Sequence, residues 1–257
     1  MGTPLVSADN RNLQLEINHV PMLRPLHWLR LGWLDLRRHW GASLGYGALI
    51  AALGWTILVF CATHPYLIAA AISGFLLVGP LTSAGLCEMS RRYSLGLPAT
   101  FDDSLEGFAR NSTALLEFGA ILAICAVAWF AASAVLLGAV WHVALPNIRE
   151  TMYQGFTDSA NRSQLLAYAA VGAILAAAVF CVSVVAIPLI VDRHATAGQA
   201  MRASIRVVLT NIPAMLVWSG LILILTIAGY APLLAGLLLI VPLLGHATWH
   251  AYRGTIR

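Results

Sequence analysis

Lysine is missing from this 257-residue chain, so all fifteen basic side chains are arginine. Charge of either sign is scarce: 10% of residues are charged, against about 25% in a soluble domain. No polar-coated globule can be built from that composition. Cysteine is sparse as well. Cys61, Cys87, Cys125 and Cys181 form no Cys-x-x-Cys pair, which argues for free thiols acting as small apolar residues rather than a disulfide framework or a metal site. Gly-x-Ser-x-Gly, Walker-type glycine loops, Cys-x-x-Cys-His haem attachment and dinucleotide fingerprints are all absent. The chain therefore reads as no enzyme of those kinds. Its first residues, through Asn10, Glu16 and His19, lack an apolar h-region, so the first apolar run is expected to act as an uncleaved signal-anchor.

What the sequence does have is hydrophobic residues, 60% of the total. They gather into six runs, at about 41–63, 66–87, 115–141, 165–191, 207–228 and 231–249. A helix needs roughly 20 mainly apolar residues to cross the hydrocarbon core. Only helices or closed barrels satisfy their backbone there, and continuous apolar runs are not the alternation of a barrel strand. The predicted class is an all-α membrane protein with six transmembrane helices. Residues 1–40 form an N-terminal segment, 41–250 the membrane domain and 251–257 a tail.

The arginines sort by loop. Arg11, Arg24, Arg30, Arg37 and Arg38 precede the first run, and Arg91, Arg92 and Arg110 lie between the second and third. Arg193, Arg202 and Arg206 lie between the fourth and fifth, and Arg253 and Arg257 follow the sixth. Only Arg149 and Arg162 fall on the other side. This asymmetry predicts cytoplasmic termini, with 142–164 outside. The same charges suit anionic lipid head groups. They share no face of a domain, so nucleic acid is not an expected partner.

A repeat is suggested. Segments of helical amphipathic spacing, Trp28 to Trp40, Phe101 to Asn111 and Met201 to Asn211, precede the odd-numbered runs. Aligning Asn111 with Asn211 superposes Ser104 on Ser204. Pro80, Pro188 and Pro242 lie near the ends of the even-numbered runs, each followed by polar residues. The unit is an amphipathic helix followed by a membrane hairpin, used three times. The competing account is that apolar helices resemble one another by composition. Within 26–40, Trp28, Leu29, Trp33, Leu36 and Trp40 are expected to turn toward the acyl boundary and Arg30, Arg37 and Arg38 toward phosphates.

Candidate functional residues cluster at the ends of the even runs: Glu88, Asp192, Arg193, His246 and His250. Ionisable groups near a bilayer core are costly and end up paired or functional. Carboxylate–arginine pairs are expected first, with the histidines donating hydrogen bonds. His246 and His250 stand four apart, on one helix face, and two imidazoles so placed can bind a metal or haem iron. Interfacial anchoring is the commoner use of such histidines, so no cofactor is predicted and a metal or haem there is the minor alternative. Glu117 is expected to reach the interface or to meet an arginine such as Arg110.

Some motifs resemble a known family. They are Pro25-Leu26-x-Trp28-Leu29, Gly32-Trp33-x-Asp35, Gly74-Phe75-Leu76-Leu77-x-Gly79-Pro80, Gly85-Leu86-x-Glu88-x-Ser90-Arg91-Arg92, and Gly245 to Arg253. Together they resemble an uncharacterised bacterial family of predicted integral membrane proteins, which carries a domain-of-unknown-function label. It is catalogued in places beside candidate cytochrome c oxidases. The resemblance implies a bacterial inner-membrane location and supplies no activity. Two functions then compete. One is a non-catalytic accessory or assembly subunit of a membrane complex such as a respiratory oxidase, with other membrane-protein subunits as partners. The other is a small-solute transporter or channel.

Overall fold

A computed structural model describes residues 15–63, 67–138, 159–230 and 234–257. Among these, ten helices account for nearly all the structure. They are α1 (Arg24–Arg38), α2 (Trp40–Thr63), α3 (Leu67–Ser94), α4 (Phe101–Ala109) and α5 (Ser112–Gly138). The remainder are α6 (Ser159–Ser183), α7 (Ala186–Arg193), α8 (Ala197–Thr210), α9 (Ile212–Tyr230) and α10 (Leu237–Thr255). Among the described residues, three stretches are long and apolar enough to cross a membrane: Ser112–Ser133, Leu166–Arg193 and Ile212–Tyr230. The protein is thus an all-helical membrane protein. Most of the 142–164 stretch that the arginine asymmetry places outside lies beyond the described residues, as do residues 64–66.

The predicted apolar run 165–191 is two helices. Two turn residues, Val184 and Val185, interrupt the helix between α6 and α7. Pro188 contributes: its ring crowds the carbonyl four residues back, and it has no amide to donate. Pro80 and Pro242 lie inside continuous helices.

Short helices begin where local chemistry satisfies their first amides. Thr100 and Asp103 form a reciprocal capping box at α4, and Thr196 and Gln199 form another at α8. In α1, Pro25 occupies a position where no amide is needed.

The helix α1 packs on α10, α4 on α3, and α8 on α6. Sequence spacing predicted Trp28 and Leu36 at the acyl boundary. The structure instead buries both, together with Gly32 and Asp35, on the face turned to the bundle. Trp33 and Trp40 do stay exposed. Gly32 is the reason the face turns inward, because a Cβ there would lie 2.7 Å from the Ala247 backbone nitrogen. Trp28 then meets Trp218 of α9 edge to face, with centroids 6.0 Å apart. Residues 15–20 follow the C-terminal strand of chain: Ile17 bridges Ile256, and the Asn18 amide donates to the Thr255 carbonyl at 2.9 Å.

Substituting Gly32→Ala should destabilise the protein by about 1–3 kcal/mol, since the obstructing atoms are backbone and cannot swing aside. Gly41→Ala, whose Cβ would meet nothing within 4 Å, should be close to neutral. Thermal unfolding in detergent distinguishes the two. Equal midpoints would refute the close α1–α10 approach.

Candidate functional site

The ends of α3, α7 and α10 that carry polar residues pack together. There the sequence-predicted residues divide into three neighbouring arrangements rather than one cluster.

The first is built on Asp35, which is 3% exposed. Ser90 Oγ donates to Asp35 Oδ2 at 2.8 Å, and His250 Nε2 lies 2.9 Å from the same oxygen. His246, fully buried, places Nδ1 2.8 Å from Ser90 Oγ and Nε2 2.9 Å from Ser43 Oγ. Counting protons fixes the directions. Ser90 has one hydroxyl proton and gives it to the carboxylate, so it accepts from His246 Nδ1–H. Nε2 then accepts from the Ser43 hydroxyl. The result is a directed chain, Ser43 to His246 to Ser90 to Asp35, closed from the other side by His250 Nε2–H. It joins α1, α2, α3 and α10. Arg38 reaches Asp35 Oδ1 only at 3.7 Å and is largely exposed, so it adds little. Burial pushes the Asp35 carboxyl up, but the hydrogen bonds from His250 and Ser90 and the nearby histidines outweigh it. The group is held below the usual carboxylate value.

The second arrangement surrounds Glu88, which is fully buried. Arg91 Nε and Nη2 each donate at 2.7 Å, a two-pronged pair. Arg110 Nε stands 3.9 Å away and also donates to the Val191 carbonyl at 3.0 Å. Gly107 lets α4 come this close: a Cβ on it would lie 2.6 Å from the Ala84 carbonyl oxygen and 2.9 Å from Glu88 Cβ. Farther out, Arg92 pairs with Asp103 and Glu106 and donates to the Pro98 carbonyl.

The third arrangement is Asp192 with Tyr252. The phenol donates to Asp192 Oδ2 at 2.6 Å, and burial together with that carboxylate pushes the phenol above its ordinary range. Arg193 Nη1 donates to the Arg257 main-chain oxygen at 3.0 Å and forms no ion pair with a side-chain carboxylate among the described residues. Glu117 is exposed and makes no ion pair with Arg110, which is engaged elsewhere.

Sequence reasoning named His246, His250, Glu88, Asp192 and Arg193 but missed Asp35, Ser43, Ser90 and Tyr252 as partners. Asp35 carried a usable signal. It falls between Gly32 and Leu36 on the apolar face of α1, where an ionised group needs a partner. Ser43 lay among small residues and resembled a packing position. Among the described residues, no three His, Cys, Asp or Glu side chains are grouped to hold a metal. A metal or haem on His246 would have to displace Ser43 or Ser90, since both ring nitrogens are engaged. The thiols of Cys87, Cys125 and Cys181 are free.

Asp35 should make stability depend on pH. A carboxyl lowered in the folded state contributes above its unfolded value, about 3.9, and that contribution is lost as pH falls through the folded value. Unfolding midpoints should therefore drop on acidification below about pH 4. Asp35→Asn should lower stability at neutral pH by about 1.5–3 kcal/mol and flatten that acid limb. An unchanged acid limb in the variant would show that Asp35 is not the linked group.

Residues 67–192 match the family model described as Predicted integral membrane protein (DUF2189). No curated protein and no solved structure matches the chain.

Proposed function

We propose that this protein is a non-catalytic accessory or assembly subunit of a bacterial inner-membrane complex, and that it acts through the surfaces it presents. One observation carries this reading: the buried carboxylates Asp35 and Glu88 and the buried His246 are spent on neighbouring polar groups. Asp35, Ser43, Ser90, His246 and His250 close one chain across four helices, and Glu88 is closed by Arg91. Groups so engaged hold helices together and have no capacity left for a passing solute. A respiratory oxidase is the complex that the sequence resemblance suggests.

In this reading the chain crosses the bilayer six times, with both termini cytoplasmic, and is built from three units. The junction residues support the units. His39, Asn111 and Asn211 each separate an amphipathic helix from an apolar one. Each accepts, through its carbonyl, the amide four residues on, at 2.9, 3.1 and 2.9 Å. Packing supports them too, since each amphipathic helix lies on an even-numbered run: α1 on α10, α4 on α3 and α8 on α6.

Purification of the full chain in mild detergent should bring down defined membrane subunits, identified by mass spectrometry. Proteoliposomes holding the chain alone should show no solute flux above empty vesicles. Saturable uptake by those vesicles would overturn the accessory role in favour of a transporter. For topology, a single cysteine at position 158, on a background without the four native cysteines, should react with an impermeant reagent in intact cells. Reaction only after the membrane is broken would reverse the orientation.

A further inference from the structure

The three amphipathic helices do not end in equivalent surroundings. The apolar helix α2 packs on α10, and α5 packs on α3. By the same pattern α9 should pack on α6, but among the described residues these two form no comparable contact. The bundle is open there. Only 22% of the apolar stretch of α9 is buried, against 33% and 50% for the other two candidate spans.

The polar end of this open seam is floored by α8. Ser204 Oγ donates to the Cys181 carbonyl at 2.7 Å and fixes α8 beneath the end of α6. Asn211 then turns the chain into α9, its side chain held by Val20 N–H and the Asn18 carbonyl. Along the outside runs an apolar stripe that passes from one helix to the next: Leu209 is 65% exposed, Ile212 50% and Leu216 67%. Arg202 and Arg206 stand beside that stripe on the exposed side of α8 and have no acidic partner among the described residues. The corresponding α4 carries acid instead, and Arg92 neutralises Asp103 and Glu106 there. On α1, Arg38 lies over the Tyr93 ring at 4.8 Å, while Arg30 and Arg37 are exposed without an acidic partner among the described residues but adjoin α2, which is packed on α10. The exposed apolar stripe and the two arginines without acidic partners therefore lie side by side on α8 and α9, the latter being the least buried of the three candidate spans.

We propose that this place seats an anionic phospholipid, its phosphate on Arg202 and Arg206 and its acyl chains along Leu209, Ile212 and Leu216. The charge selects the occupant. A bare transmembrane helix would leave both guanidinium groups at the interface without a counter-ion, whereas a lipid with a net negative head group supplies one at the depth where α8 lies. The apolar stripe supplies acyl contact in continuity with that head group. The inference rests on α9 and α6 crossing the bilayer and is independent of the accessory role. Failure to capture partner subunits leaves it standing.

The test uses the full chain in a neutral detergent, titrated with phosphatidylglycerol or phosphatidylcholine and read by native mass spectrometry. One tightly retained phosphatidylglycerol is expected, with weaker retention of phosphatidylcholine. Arg202→Gln with Arg206→Gln should weaken phosphatidylglycerol retention by about thirtyfold. Both side chains are exposed, so the variant should fold, and its unfolding midpoint verifies this. Leu216→Gln provides an independent arm and should weaken retention through the acyl contact. Arg30→Gln with Arg37→Gln on α1 should leave the tight lipid in place. Three results would overturn the proposal: retention unchanged in the α8 variant, equal loss in the α1 variant, or equal retention of the two lipids. Protection of Arg202 and Arg206 by a co-purifying protein in place of lipid would also overturn it.

Discussion

A carboxylate that leaves water must be met by hydrogen bonds or charge, and an unmet one costs several kcal/mol. Asp35 imposes that requirement on this bundle. Its Oδ2 is satisfied only if Ser90 of α3 and His250 of α10 both reach it. Those partners can reach only if α1 lies directly on α10, which the bare Cα of Gly32 against Ala247 permits. Once α1 lies there, Trp28 is carried into contact with Trp218, and residues 15–20 fall alongside the end of α10. His246 extends the requirement to α2 through Ser43. A single buried charge thus fixes the relative placement of four helices that hydrophobic packing alone would leave free to slide. Apolar contact between membrane helices is only weakly directional, because lipid tails are as apolar as the helices themselves.

Glu88 applies the same logic to the next corner. It is satisfied locally by Arg91, one turn on along α3, so it fixes no distant helix by its strongest bonds. Its effect on the fold comes through the close seat of α4, where Gly107 exposes the Ala84 carbonyl and the Glu88 stem to the neighbouring helix. Asp192 is tied to Tyr252, and Arg110 reaches across to the Val191 carbonyl. Each polar-ended helix is therefore bound to the next by a different chemistry: a hydrogen-bonded chain, an ion pair with a close glycine contact, and a phenol–carboxylate bond. The similarity among the three corners is one of position and packing, not of side-chain type.

Helix positions were legible in the sequence because they follow from local pattern. Runs of apolar residues and amphipathic segments depend only on neighbours a few residues away, and α1, α4 and α8 fall where those patterns place them. The junctions at His39, Asn111 and Asn211 coincide with the spacing between similar segments. Pro188 was visible as a helix-disturbing residue, but it breaks the chain where Pro80 and Pro242 do not, so proline alone does not decide.

The sequence by itself determined the class of this protein. With so few charges and such long apolar runs, a helical bundle in lipid is the arrangement that satisfies the backbone. It also determined which ionisable residues lie near the ends of helices, since that follows from position along the chain. Only the tertiary structure decided which of them meet. Asp35 and His250 are 215 residues apart, and Ser43 and His246 are 203 apart. No local periodicity encodes such a pairing. It depends on the direction in which each helix crosses its neighbour and on the side it presents. Those are set by close backbone approaches at Gly32 and Gly107, and the consequence of such a glycine is apparent only once the opposing backbone is in place.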